Sequence, residues 1–141
     1  KVGNRYTIKA STGDLENEQI LVDGEFFNVD IIYMRNVIAS IELNNKEIII
    51  IKSKTAKYNT FTYETNFKED VGLEYLDVNA SSDNLDLLFK DNLITLYDNL
   101  VFKQLSTTLI ADKMLINTNE GKYEIFMNDT NQNVKITNTI K

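Results

Sequence analysis

The side chains in this sequence that could do chemistry are almost all carboxylates. Asp83 with Asp86, and Glu69 with Asp70, stand close enough along the chain to suggest two uses. One is a carboxyl pair flanking a glycosidic bond, one group giving and the other taking a proton; the other is a set of oxygens converging on calcium. The 141 residues contain no His and no Cys, which removes triads, thiolate nucleophiles, thiol redox chemistry and the usual zinc sites. Asn117-Thr118-Asn119-Glu120-Gly121 echoes an EF-hand loop, but no Glu lies at the liganding place and the flanks look like strands, so it reads as a turn. The carboxylates also have a simpler reading. Asp83 and Asp112 share one repeated position with Lys54, and a position that accepts either sign of charge is an outward rung. We expect no catalytic residue, no metal ligand and no cofactor, and a protein that is not an enzyme.

Composition narrows the class further. With 43% hydrophobic and 26% charged residues, the chain is an ordinary globular one, long enough for a single domain over 1–141 with a real core. A net charge of −6 argues against nucleic acid, because phosphate binding needs clustered Lys and Arg, and here they are scattered among carboxylates. The glycosylation triplets at Asn79 and Asn128 are what an Asn-rich chain produces by chance. No signal peptide or membrane span is present, and the chain opens at Lys1 without Met. An N-terminal membrane anchor outside this chain fits that opening.

What must position these residues is a repeat. With Ser53, Ser82 and Ala111 as origins, each 29 residues from the next, apolar residues recur at matching offsets. Ile51, Ala80 and Leu109 precede the origins by two; Ala56, Leu85 and Met114 follow by three; Tyr58, Leu87 and Ile116 follow by five. Phe67, Leu96 and Ile125 complete the set further on. A fixed period of this length means stacked supersecondary units that bury their apolar faces against one another. Within each unit apolar or small residues alternate up to the origin and then change parity. A strand changes face only through a bulge or bend, so we place a corner just after each origin, where the small Ser or Ala fits. A second marker, Asn or Asp followed by Val or Leu, appears at Asn36-Val37, Asp70-Val71, Asn99-Leu100 and Asn133-Val134, the last after a five-residue expansion through Gln132.

The rest of the chain reads as strand. Tyr6, Ile8 and Ala10 alternate with polar neighbours until Ser11-Thr12-Gly13-Asp14 breaks the pattern. Ile20 and Val22 lead to Asp23-Gly24, a strong hairpin signal, and Phe27, Val29 and Ile31 return. A parity slip follows at Ile31-Ile32. Val37 to Leu43 alternate up to Asn44-Asn45, and Ile48 to Ile51 begin the repeats as a strand apolar on both faces. Asp83 to Phe89 is the best helix candidate, yet it is short, uncapped and aligned with segments of period two, so it too reads as strand.

The apolar ladder has two readings, a self-filled core or the lining of an open groove for an apolar ligand. With no helix to plug it, a curved sheet lined by Ile, Leu, Val, Phe and Met suits acyl chains.

The residues also carry a resemblance. Ile51-Lys52-Ser53-Lys54-Thr55-Ala56-Lys57-Tyr58 with Thr65-Asn66-Phe67-Lys68-Glu69-Asp70-Val71, and Leu109-Ile110-Ala111-Asp112-Lys113-Met114-Leu115-Ile116 with Gly121, resemble the repeat of the OstA-like lipopolysaccharide-transport family (LptA/LptC). The arrangement, with Tyr6-Thr7-Ile8-Lys9-Ala10 at the start, is most similar to the LptC-like periplasmic domain. The resemblance implies an all-β fold, a twisted antiparallel β-jelly roll whose sheets form an open V built from repeated strand units. It implies a periplasmic carrier that shields lipopolysaccharide acyl chains, receives lipid from an LptB/LptF/LptG-type inner-membrane complex and passes it to an LptA-like protein at its C-terminal edge. The residues it assigns to the lipid are Ile51, Ala56, Tyr58, Phe67, Val71, Leu85, Leu87, Leu96, Leu100, Leu109, Met114, Ile116 and Ile125. Partner edges fall at Tyr6 and Ile8 and at Val134 and Ile136, and an edge-to-edge homodimer is a further arrangement open to such strands. The rival readings are a self-filled structural or adhesive β-solenoid and a polysaccharide-binding module.

Overall fold

The computed structural model describes the backbone of residues 3–128 and 133–139 and the side chains of residues 3–127. Nine strands follow one another: β1 (Arg5–Val22), β2 (Glu25–Glu42), β3 (Ile48–Asn59), β4 (Glu64–Tyr75), β5 (Val78–Leu88), β6 (Leu93–Gln104), β7 (Thr107–Asn117), β8 (Lys122–Asn128) and β9 (Asn133–Thr139). Each pairs antiparallel with the next, so the sheet runs in chain order from β1 to β9 and does not close. The architecture is the expected all-β one, and the only helical element among the described residues is a 3₁₀ turn, Phe89–Asp91.

The 29-residue repeat is two strands long. Ser53, Ser82 and Ala111 lie on β3, β5 and β7, and the pairing register shifts where the parity change was placed: between Lys52 and Thr55, between Ser81 and Asn84, and opposite Ala111 between Tyr97 and Leu100. The partner strands turn at Asn36, Asp70 and Asn99, whose φ values of 53°, 51° and 54° lie in the left-handed region that Asn and Asp tolerate best. The Asn/Asp-Val/Leu marker therefore records a backbone need. Asn133 opens β9 opposite Asn128, and the residues between them lie outside those described.

Because β2 to β7 all bend along this line, the sheet folds into two facing leaves, and one continuous core fills the space between them. On one side stand Ile49, Ile51, Leu73, Tyr75 and Val78, on the other Phe67, Leu85, Leu96, Met114 and Ile125, all buried.

Two local expectations need correction. Ser11 to Asp14 do not break the first strand, since β1 pairs with β2 from Arg5 to Val22 in constant register. Ladder bonds override the weak strand propensity of this run, and Ser11 Oγ donates to the Arg35 carbonyl while Asn36 Nδ2 donates to Ser11 Oγ. Nor does the face change at Ile31-Ile32. Ile31 is buried on the outer face and Ile32 points inward, and the change comes at Asn36. The Asp23-Gly24 hairpin forms with both φ values positive, 50° and 79°, as a two-residue turn of this hand requires. Beyond Ile31, the last rung β2 shares with β3, this hairpin continues as a two-stranded ribbon. Asp83 to Leu88 is strand, and Phe89 leaves it to begin the 3₁₀ turn.

Candidate functional site

The carboxylates first noted do not converge. Asp83 accepts from Asn99 Nδ2 at 2.5 Å, and Asp70 pairs with Lys54 at 3.0 Å. These are the same two repeat positions, with Lys54 replaced by Asp83 and Asp70 by the neutral Asn99, both on the exposed outside of a corner. Asp86 accepts instead from Asn66 Nδ2 and Tyr97 Oη, and Glu69 from Thr55 Oγ1. Asn117 to Gly121 form a turn in which Asn117 Oδ1 accepts from the Asn119 and Glu120 amides.

The interior is where chemistry is concentrated. Of the thirteen ladder residues, eleven are buried in the core, from Ile51, Phe67, Leu85, Leu96, Leu100, Met114, Ile116 and Ile125 at 0% exposure to Val71 at 1%, Leu87 at 2% and Ala56 at 4%. Leu109 packs against that core and Tyr58 is half-buried. Side chains at zero exposure are sealed by one another, so most of the ladder is closed.

It opens at one end. A pocket of about 510 Å³ lies between the inward face of β1 and the far ends of β3, β4 and β5. Tyr6 and Ile8 form one wall. Ile32 and Met34 of β2, with the paired rung Tyr58, Thr65 and Leu87, form the other, and Tyr63 and Phe89 stand at its end. The lining is predominantly apolar, and burial pushes the Tyr58 hydroxyl above its usual range, so it stays neutral. Leu87 connects the pocket to the sealed rungs, because it pairs with Ile94, and Ile94 with Ile116.

Of the assigned lipid residues, only Tyr58 and Leu87 line this pocket. Tyr6 and Ile8, assigned to a partner edge, are on an edge strand, since among the described residues β1 pairs with β2 alone, yet their side chains face inward to the pocket. Val134 and Ile136 lie on the opposite edge strand, β9, with side chains outside the described residues. Ile32, Met34, Tyr63, Thr65 and Phe89 escaped sequence reasoning. Ile32 and Met34 precede the repeats, and Tyr63 and Phe89 sit in connections, where alternation gives no signal.

Polar contacts cross the mouth. Asn4 Nδ2 donates to Thr118 Oγ1 at 3.1 Å and reaches Asn92 Oδ1 at 3.5 Å, while Tyr6 Oη lies 3.4 Å from Thr118 Oγ1. The Tyr6 ring meets Phe89 edge-on at 4.3 Å, and Phe89 meets Tyr63 at 6.2 Å. A second hollow of about 430 Å³, walled by Asp14, Glu16, Arg35, Lys57 and Lys68 among others, is polar and mixed in charge, unsuited to an apolar ligand.

A family model described as LptA/(LptD N-terminal domain) LPS transport protein matches residues 27–138. No individual curated protein matches the chain. No helix among the described residues is long and apolar enough to cross a membrane.

Proposed function

Since the chain belongs to the LptA/LptD N-terminal domain family of lipopolysaccharide transport proteins, we propose that its part in that transport is to shield acyl chains between its leaves. The observation that carries this reading is the apolar pocket that opens onto the ladder at Tyr58 and Leu87. Each methylene moved from water into such a lining gains about 0.8 kcal/mol. No directional contact holds it, so a chain is retained yet can slide. The same reading makes the protein a non-enzymatic periplasmic carrier that takes lipid from an inner-membrane complex of LptB/LptF/LptG type and passes it to an LptA-like partner. The outer edges of β1 and β9, unpaired among the described residues, support handover, because each presents backbone donors and acceptors that another sheet can extend.

Photoreactive residues at Tyr58 and Met34 are expected to capture lipopolysaccharide, and one at Asp83, on the outer corner, is not. Equal labelling at all three would remove the interior from the mechanism. A self-filled scaffold also has an observation behind it, the zero exposure of most ladder residues. Absence of capture at both Tyr58 and Met34 would favour it.

A further inference from the structure

The sealed ladder and the open pocket pose a question: how does a chain held at Tyr58 and Leu87 reach Leu96 or Ile116, which have no exposed surface? The side chains across the mouth supply the answer. Tyr6 belongs to the edge strand of one leaf and Asn4 directly precedes that strand, whereas Thr118, Asn92 and Phe89 belong to connections at the far end of the other, and Tyr6 and Thr118 stand 112 residues apart. The ladder hydrogen bonds stop at β1, so at this mouth side chains bridge the leaves.

The bridge is built to give way. Thr118 is buried at 2%, and its backbone amide is fixed to the Asn92 carbonyl at 2.9 Å, so one jaw is firm. The other is not. Asn4 Oδ1 is buried with no hydrogen-bond partner among the described residues, a desolvation cost that offsets the bonds its Nδ2 makes. Two of those three polar contacts are 3.4 Å or longer, at the weak end of hydrogen-bond geometry. Tyr6 and Phe89 themselves line the pocket, so an apolar chain entering it meets the same rings that hold the leaves together. A ligand that contacts those rings better when they part shifts the equilibrium toward the open state.

We propose that Asn4, Tyr6, Phe89 and Thr118 form a clasp that regulates the acyl site: closed, it admits an acyl chain only as far as Tyr58 and Leu87, and its release exposes the sealed ladder. This rests on the carrier reading and adds a gate to it.

The chain has no Cys, so Asn4→Cys with Thr118→Cys introduces the only two thiols. A short bis-methanethiosulfonate bridges them and a reductant releases them. The probe is palmitate carrying a photoreactive diazirine in its chain, with labelled residues located by mass spectrometry. Bridged protein is expected to be labelled around Tyr58 and Leu87 and only at background around Leu96 and Ile116, and reduction is expected to restore the deeper labelling. Equal deep labelling in the two states would overturn the clasp while leaving the carrier intact. No labelling in either state would refute the carrier reading, and the clasp with it. A second variant, Phe89→Ala, leaves the ladder untouched and is expected to speed deep labelling. An unchanged rate would also count against the clasp.

Discussion

Ser53 and Ser82 stand 29 residues apart and make the same bond. Each hydroxyl donates to the carbonyl two residues ahead, Ser53 to Thr55 at 2.8 Å and Ser82 to Asn84 at 2.9 Å. Both lie at a shift of strand register, where the ladder leaves a backbone group unpaired, and a short hydroxyl fills that need within a tight bend. The third repeat places Ala111 there, without the bond, and keeps only the small size. The hydroxyl therefore contributes stability, while small size makes the bend feasible.

Ser82→Ala is accordingly expected to lower unfolding free energy by about 0.5–1.5 kcal/mol, one net hydrogen bond. Ser82→Leu should cost more through overpacking, about 1–3 kcal/mol beyond the lost bond. Urea unfolding with a constant m-value measures both. A larger loss for the alanine variant than for the leucine one would contradict the role given to size.

The left-handed corner at Asn99 gives a second expectation. Asn99→Gly keeps the backbone conformation at no steric cost and loses the exposed bond to Asp83, a change within about 1 kcal/mol. Asn99→Val forces a β-branched side chain into φ near 54° and should lose more than about 1 kcal/mol. Thermal unfolding of the pair decides it.

Interior and exterior rungs separate by mutation. Leu96→Ala removes a side chain of zero exposure and should cost about 2–5 kcal/mol. Ile110→Ala, at a position 79% exposed, should stay within about 0.5 kcal/mol.

Lipid capture is best probed at the pocket wall. Leu100→Asp buries a charge at a site of zero exposure and would unfold the protein rather than report on lipid. Met34→Asp places the carboxylate in the half-buried pocket wall, where water still reaches it. Lipopolysaccharide binding should weaken about tenfold or more, equivalent to about 1.4 kcal/mol, with the circular dichroism of the fold unchanged. Binding equal to that of the unmodified protein would place the lipid elsewhere.

Alkaline pH should act through Tyr33. Its hydroxyl donates to Glu18, and that bond, with burial and the charges of Glu18 and Glu16, pushes it from 10.0 to about 12. A raised folded value means the stabilisation is complete below pH 10 and is lost as pH climbs from 10 to about 12. Tyr33→Phe should flatten the fall in melting temperature across that window.

The sequence by itself determined the bend and its spacing. Ser53, Ser82 and Ala111, the parity change after them, and Asn36, Asp70 and Asn99 all encode local backbone requirements, and local chemistry is readable from residue type and spacing. It also determined which side of the repeated strands β3 to β7 faces inward, since alternation follows from the strand's period of two, though not on β2 before Asn36, where Ile32 and Met34 turn inward. Tertiary structure alone decided which inward residues remain reachable. Ile116 and Leu87 sit at one repeat offset, yet Ile116 is sealed while Leu87 lines a pocket, because β1 crosses the mouth on only one side. That crossing joins Tyr6 to Phe89 and Thr118 across most of the chain, and long-range closure of one leaf over another leaves no periodic mark in the sequence.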